Sequence, residues 1–571
     1  MTVRGLALAG LVAAALASPG ATAREQAPAV SVGTLSSHYL VGRHAERVND
    51  MPTAAKHFEA LVKAHPDDPA LVARTQFLMA ASGRFADAVA LAERLTTLDR
   101  PTPASQLTLA IRDIRDGRFK AAAERLGGLD RRGANRLLVP LLRGWALAGT
   151  KAKDEALKEI AELSGVPGFE VIEGLHSALV AGLFGDVEAA QAGYARALAA
   201  AGDMPPLPLI EARAGFLAGI GKGQEALALV DGYIAASREK LPLAATRAAL
   251  ARGEKPTPQV AGAADGAADA LHAIGGLLNR EDVSASALVY VRMAQVLRPK
   301  SGRIALLLGQ VLERLDRTDE AIAAFRSVEA GSPWHWFARL AVADGLQRKD
   351  DVDGSAALLR AMIAERPERA DAARALGDLM RSRKRFPEAV SAYDMAVERT
   401  PEAARDWSLH YGRGIALERA KDWDRAEADF LRALELEPDQ PLVLNYLGYS
   451  WVEKGQHLER ARGMIEKAVA ERPRDGYIVD SLGWVLYLLG DHDGAVVQLE
   501  RAVGLVPDDP VINDHLGDLY WIVGRRNEAR FQWQRALSQE PEDDVARKIR
   551  DKLAGRDLPA AKAAPQGRRD I

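Results

Sequence analysis

Apolar residues are separated by polar ones along most of this chain, and near its C-terminus one arrangement of apolar, small and polar positions occurs twice. Residues 481–509 can be laid over the segment that starts 34 residues later. The pairs that agree are Leu482 with Leu516, Gly483 with Gly517, Ala495 with Ala529, Ala502 with Ala536 and Pro507 with Pro541. Agreement at these few positions over a fixed period predicts a repeated structural unit.

The same period can be followed upstream through its last residue, a proline. Eight units end in this way, at Pro299, Pro333, Pro367, Pro401, Pro438, Pro473, Pro507 and Pro541. A small residue stands twelve positions before each proline, at Ala287, Ala321, Ser355, Ala389, Ala426, Ala461, Ala495 and Ala529. Alanine recurs five positions before most of them and glycine 24 positions before, as in Ala502 and Gly483 for the unit that ends at Pro507.

These positions have a physical explanation in a pair of short helices. Two helices of about a dozen residues cross closely only where the contact carries no bulk, which favours Gly and Ala even though glycine weakens a helix. Larger residues eight positions before the proline fill the space beside those contacts, namely Phe325, Tyr393, Phe430, Leu499 and Trp533. Proline then ends the second helix because it lacks an N–H and restricts the residue before it. The pattern predicts stacked helical hairpins.

This arrangement resembles the tetratricopeptide repeat (TPR), and the resemblance is strongest over residues 376–401 and 482–541. It implies an all-α TPR solenoid, a right-handed superhelix of about fourteen hairpins. The expected organisation is a signal peptide at 1–23, a flexible N-terminus at 24–33, degenerate repeats at 34–250, a linker or loosened turn at 251–267, eight TPR units at 268–545, and a helix end with a disordered tail at 546–571.

Composition narrows the possible functions. At 571 residues the chain is too long for one ordinary core, which fits several domains or an open-ended array. The net charge is −3 and no long basic stretch is present, so we expect no nucleic-acid partner. Cysteine is absent, which excludes thiol catalysis, Cys-ligated zinc and disulfides.

The N-terminus predicts export. Arg4 precedes an apolar run at residues 5–17, and Ala21-Thr22-Ala23 provides small residues before a cut after Ala23. The alternative is a membrane anchor, but the run is shorter than the ~20 residues needed to span a bilayer. Because no cysteine follows, no lipid anchor is expected. We therefore expect a periplasmic protein, exported across the inner membrane of a bacterium.

No catalytic constellation accompanies the repeats. The sequence lacks GxSxG, GxxxxGK[ST] and HExxH motifs, and we expect no enzyme activity, cofactor or metal. "KDDVDG" at 349–354 and "DHDG" at 491–494 are interpreted as turns in which Asp caps a helix. "SPWHWF" at 332–337 is interpreted as packing between repeats, with a binding patch as the alternative.

The candidate site is the inner wall that the first helices of such repeats build. When the terminal proline of a unit is counted as position 32, positions 2, 5, 9 and 12 lie on its first helix. These four positions are expected to face the groove. The partner-binding residues predicted from the last three units are Asn445, Tyr449, Tyr477, Asp480, Trp484, Tyr487, Asp514, Asp518 and Trp521. Exposed aromatic side chains suit a groove for a peptide or helix. The alternative is that they pack against a neighbouring helix or the tail.

Some TPR domains hold the terminal carboxylate of chaperones with Lys at position 5 and Asn at position 9. This sequence departs from that clamp, with Asp480 and Trp484 in one unit and Asp514 and Asp518 in the next. These acids would repel a carboxylate. The departure favours partners with apolar, neutral or basic segments.

Residues 444–541 resemble exported bacterial TPR proteins, among them the lipoprotein adaptor that presents cell-wall hydrolases to a carboxy-terminal processing protease. This resemblance implies a non-catalytic periplasmic scaffold or adaptor in cell-envelope maintenance, with such a protease and such hydrolases as protein partners. One alternative is a scaffold of exopolysaccharide export, in which the aromatic residues would stack on sugars. An enzyme is the third, and we find no site for it.

Overall fold

The computed structural model describes residues 35–237, 243–281, 283–401 and 406–559. The predicted signal peptide, the predicted flexible N-terminus and the tail from residue 560 onward lie outside these residues. Within them the chain forms thirty α-helices, one short 3₁₀ helix and no strand. The prediction of an all-α repeat fold is confirmed.

The helices group into two compact units. The first unit contains the described residues up to Val230 together with Ala249–Arg317, and the second contains Asp231–Ala248 and the described residues from Thr318 onward. The helices up to the division at Arg317 are α1 (Leu35–Arg47), α2 (Met51–Ala64), α3 (Pro69–Ala81), α4 (Phe85–Thr97), α5 (Pro103–Arg115), α6 (Phe119–Gly127), α7 (Asn135–Gly149), α8 (Lys153–Ile160), α9 (Glu170–Leu183), α10 (Val187–Ala201), α11 (Leu207–Gly219), α12 (Gly223–Ala236), α13 (Ala244–Ala251), α14 (Ala263–Arg280), α15 (Ser284–Leu297) and α16 (Gly302–Arg314).

The helices after Arg317 complete the second unit. They are α17 (Thr318–Arg326), α18 (His335–Arg348), α19 (Val352–Glu365), α20 (Asp371–Ser382), α21 (Phe386–Arg399), α22 (Trp407–Arg419), α23 (Trp423–Leu436), α24 (Pro441–Glu453), α25 (Leu458–Glu471), α26 (Gly476–Leu488), α27 (His492–Leu505), α28 (Pro510–Ile522), α29 (Arg526–Leu537) and α30 (Asp543–Leu553). From α18 to α29 consecutive helices pack in pairs, and each pair is one hairpin. The single helix α30 follows the last hairpin and packs on α29.

The turns inside the hairpins follow the predicted chemistry. Asp351 accepts a hydrogen bond from the backbone N–H of Gly354 at 2.9 Å, and Asp491 accepts one from that of Gly494 at 3.0 Å. Both carboxylates satisfy N–H groups at the start of a helix. The acid-rich segments that resemble metal sites are therefore helix caps. At Gly490, between α26 and α27, φ is +84°, a left-handed conformation that glycine adopts without strain.

The small residues of the repeat lie where its two helices touch. A Cβ atom added to Gly483 of α26 would lie 2.6 Å from Leu499 of α27, and one added to Gly517 would lie 2.5 Å from the Trp533 ring. Leu499 and Trp533 are themselves fully buried. The glycines therefore let a bulky side chain of the second helix approach the backbone of the first, as the pattern predicts.

The end of the predicted linker or loosened turn at 251–267 lies in a helix, whereas residues 252–262 form none. Helix α14 begins at Ala263, inside the stretch 251–267 that composition assigns to a linker. It packs against α7 and α9, and a Cβ added to Gly266 would lie 2.3 Å from the buried ring of Trp145. Glycine is needed at position 266 because the backbone of α14 approaches a tryptophan there. The compact units divide at Arg317, inside one predicted TPR unit.

The Trp-rich segment at 332–337 packs between repeats. Trp336 is buried, and its Nε1 donates to Asp371 Oδ2 at 2.9 Å, so it joins α18 to the start of α20. The Arg369 guanidinium lies 4.6 Å from the centre of its ring. This geometry supports the packing interpretation. Among the described residues no helix has both the length and the apolar character needed to cross a membrane.

Candidate functional site

The nine predicted site residues lie on three first helices of the second unit. Asn445 and Tyr449 are on α24, Tyr477 to Tyr487 on α26, and Asp514 to Trp521 on α28. Helix α26 touches both α24 and α28. We call the surface formed by these three helices the first-helix face. The structure thus brings the predicted residues to one part of the molecule, although they differ in how accessible they are.

Tyr477 is the most accessible of these side chains. It stands in the first turn of α26 and is 59% exposed. Trp484, two turns further along α26, is half-buried, as are Tyr449 and Trp521 on the flanking helices. Tyr487, Asp480 and Asp518 are buried, which corresponds to the packing alternative at these three positions. Asp480 contacts His515 of the neighbouring first helix α28, whereas Asp518 contacts Trp533 of α29 and Lys552 of α30.

Trp484 connects all three helices of the face. Its Nε1 donates to Glu453 Oε1 of α24 at 2.9 Å, and its ring stacks on His515 of α28 with 4.2 Å between centroids. The ring of Tyr487 lies 5.0 Å from it on the same helix. Trp484, held in this way, presents a rigid apolar surface at a small entropic cost.

His515 lies close to three carboxylates at the centre of the face. Its Nδ1 lies 3.0 Å from Asp480 Oδ2. Burial lowers the pKa of His515, but the carboxylates of Asp480, Asp514 and Asp518 outweigh that effect, and the pKa lies above its ordinary value. The imidazole is therefore more readily protonated here than in water.

Asp514 and Asp518 form ion pairs with a lysine of α30, the last helix among the described residues. Lys552 of α30 donates from Nζ to Asp514 Oδ2 at 2.8 Å and to Asp518 Oδ2 at 2.7 Å. Trp533 Nε1 also donates to Asp518, at 2.9 Å. Burial and the neighbouring Asp514 raise the pKa of Asp518 to about 6. These two acids therefore anchor α30, which corresponds to the packing alternative for this end of the face.

The remaining predicted residues divide between the two interpretations. Trp521 packs on Trp533 with 5.6 Å between ring centroids, and the Arg526 guanidinium lies 5.0 Å from its ring. On α24, burial raises the pKa of the Tyr449 hydroxyl. The Asn445 Oδ1 atom is buried and has no hydrogen-bond partner among the described residues. Trp521 thus packs inside its own hairpin, as the packing interpretation expects. Asn445 has an acceptor oxygen that no described residue uses.

Sequence reasoning missed Glu453, His515 and Lys552. Lys552 follows Asp518 by 34 residues, so extending the repeat period by one helix beyond Pro541 would have found it. His515 occupies a position that the groove pattern does not include. Glu453 ends α24 in the unit that ends at Pro473, which is one residue longer than the period of 34, so positions counted back from that proline are shifted by one.

Comparison with known families agrees with the hairpin architecture. Models described as "Tetratricopeptide repeat" match residues 259–333, 340–404, 407–440 and 452–510. The chain contains tetratricopeptide repeats. The matches start just before α14 and include all of α26 and α27, whereas α24 and α28 overlap them only at their ends. One of the three helices of the first-helix face therefore lies wholly in a matched repeat.

Individual relatives share less with this chain. A TPR repeat-containing protein of Pseudomonas aeruginosa is 32% identical over 99 residues, and this match spans 17% of each protein. Among solved structures, a subunit of the Cut9–Hcn1 complex of the APC/C is 14% identical with a TM-score of 0.37, covering 92% of this chain and 97% of that one. A TPR protein from Parabacteroides merdae is 14% identical with a TM-score of 0.36, covering 44% and 96%. A thermophilic TPR protein from Thermus thermophilus is 23% identical with a TM-score of 0.29, covering 32% and 99%.

Proposed function

We propose that this protein is a non-catalytic adaptor of the bacterial periplasm that binds a protein partner through the first-helix face. Tetratricopeptide repeats serve protein–protein interaction, and within this array the face has the composition of a binding surface. The observation that carries the proposal is that α26 holds two accessible aromatic residues two turns apart, exposed Tyr477 and half-buried Trp484. Tyrosine and tryptophan are the residue types that dominate binding energy at interfaces.

The charges of the face indicate the kind of partner. Glu453 accepts a hydrogen bond from Trp484, and Asp480 lies 3.0 Å from the His515 ring that stacks on Trp484. Lys552 already shows, within the chain, that acids of this face accept an ammonium group. We propose that the partner presents an apolar side chain for the Tyr477 and Trp484 rings together with a basic or neutral segment. A free C-terminal carboxylate is disfavoured.

In the finer form of the proposal, the partners are a carboxy-terminal processing protease and the cell-wall hydrolases presented to it. The sequence resemblance of residues 444–541 supports this form, and export rests on the segment that ends at Ala23. N-terminal sequencing of the mature protein should begin at Arg24. Recovery of a cytoplasmic chain that retains Met1 would reject the periplasmic part and leave the binding face untouched.

Affinity capture from an envelope extract, followed by mass spectrometry, tests the binding role. The bait proteins are the wild type, the double variant Tyr477→Ala with Trp484→Ala, and the control Phe531→Ala. Phe531 is a matched control because it is an aromatic residue, 61% exposed, on the second helix α29. Partners should be retained by the wild type and the control and lost from the double variant. Equal capture by all three would show that the face is not the binding surface.

A further inference from the structure

A cavity of about 200 Å³ lies in the first unit between α3, α5, the start of α7 and α15. Its walls are mainly apolar and aromatic and include Phe77, Leu107, Tyr290 and Met293. Among the described residues that line it, none carries a charge. The cavity is smaller than the ~300–1,000 Å³ typical of sites for drug-sized ligands, so it suits a single ring system or a single side chain.

One polar side chain in this lining is buried and incompletely paired. Gln76 of α3 is only 1% exposed, and its Oε1 has no hydrogen-bond partner among the described residues. Its Nε2 donates to Thr108 Oγ1 of α5 at 2.8 Å. A buried acceptor without a donor is unfavourable, so a bound group that supplies an N–H would be stabilised there.

The orientation of the Gln76 amide follows from the hydrogen bonds of Thr108. The Thr108 hydroxyl donates its single proton to the carbonyl of Ala104 at 2.9 Å, so it can only accept from Gln76. The nitrogen of the amide must therefore face Thr108. The oxygen is left as the acceptor of this lining residue that has no partner among the described residues.

We propose that this cavity binds an indole group, a planar apolar ring with one N–H donor. Indole donates one hydrogen bond and accepts none, which suits the unpaired Gln76 acceptor beside a lining that is mainly apolar and aromatic. The group can arrive as free indole or as the tryptophan side chain of a peptide. The cavity belongs to the first unit and the first-helix face to the second, so this inference and the proposed function can fail independently.

Calorimetric titration of the full-length protein with indole and with benzofuran provides the test. Benzofuran has nearly the same shape but carries an oxygen in place of the N–H. Indole should bind at least tenfold more tightly than benzofuran. Gln76→Met should lower the affinity for indole to that for benzofuran and leave benzofuran unchanged. The control Gln498→Met, on α27 of the second unit, should alter neither. Absence of indole binding, or equal affinity for the two ligands, would overturn the inference.

Two further arms complete the design. N-acetyl-tryptophanamide distinguishes the sources, because its binding would assign the site to a peptide and its exclusion would assign it to the free molecule. Ala104→Leu fills the cavity from α5 without changing Gln76 and should abolish indole binding. Thermal melts of both variants check folding. If Gln76→Met fails to fold, unchanged indole binding by a folded Ala104→Leu protein would still contradict the site.

Discussion

The indole ring of Trp484 stacks on the imidazole of His515, with 4.2 Å between centroids and 21° between the ring planes. The two residues lie on neighbouring helices, α26 and α28, and the same imidazole is 3.0 Å from Asp480 Oδ2. A protonated imidazole is favoured by the carboxylate and by the face of the tryptophan ring. His515 therefore makes the arrangement of the first-helix face dependent on pH.

We expect the contribution of His515 to stability to decrease as pH rises. Its pKa is higher in the folded protein than the ordinary value of about 6.5, so its contribution is fully present below about pH 6.5. That contribution is lost as pH rises through the folded pKa. An NMR titration of His515 should give a pKa above the ordinary value, and a value at or below it would contradict the pairing with Asp480.

The variant His515→Gln isolates this effect from the rest of the chain. His272 in the first unit has the opposite tendency, because burial lowers its pKa to about 3 and its contribution is lost on acidification. The free energy of unfolding should therefore be compared between wild type and His515→Gln at each pH. The stability advantage of the wild type should be largest near pH 6 and smaller near pH 8.

Enlarging Gly483 should destabilise the hairpin of α26 and α27. An alanine Cβ there would lie 2.6 Å from the Leu499 side chain and 3.2 Å from its backbone nitrogen. Overpacking of this kind costs about 1–3 kcal/mol, whereas alanine in an open helix position gains up to about 1 kcal/mol over glycine. Chemical denaturation should show Gly483→Ala to be less stable than the wild type.

Gly463 on α25 provides the control for that experiment. Nothing lies within 4 Å of a Cβ added there, so Gly463→Ala should leave stability unchanged or increase it. If both substitutions stabilise the protein, the helices of this repeat do not approach each other as the structure shows.

The sequence was sufficient to predict these helix contacts and insufficient to predict where the compact units divide. Gly483 and Ala495 recur because short-range packing inside one hairpin repeats with the period, and both lie at the contact of α26 and α27. Helix α14 contacts α7 across more than a hundred residues of sequence. No periodic signal encodes that contact, and the Gly and Ala residues that permit it resemble a loosened turn.

The same distinction explains the outcome for the candidate site. The repeat period places Trp484, Asp514 and Asp518 on first helices, as predicted. It contains no information about which of them a terminal helix covers, and Lys552 belongs to a helix outside the complete hairpins. The accessibility of the predicted site residues therefore depends on two kinds of contact. One is made between neighbouring repeats, and the other is made with the terminal helix α30.

Removing Lys552 should destabilise the C-terminal end of the array. Asp514 and Asp518 would lose the cation that neutralises them, and loss of one partner of a buried pair costs about 3–5 kcal/mol. Denaturant unfolding of Lys552→Met should show this loss. Since protonation neutralises Asp518, the loss should be smaller near pH 5 than near pH 8.

A compensating variant distinguishes the ion pair from simple packing. Adding Asp514→Asn and Asp518→Asn to Lys552→Met removes the unpaired charges and should restore most of the stability. If the triple variant is as unstable as Lys552→Met alone, the lysine acts through its aliphatic chain and not through its charge.

Titration of the captured partner, in purified form, measures the binding role of the first-helix face most directly. Tyr477→Ala combined with Trp484→Ala should weaken binding by about 2 kcal/mol or more, which is about thirtyfold in Kd. Phe531→Ala should bind like the wild type, and circular dichroism should show that all three proteins are folded. A folded double variant with the wild-type Kd would contradict binding through this face.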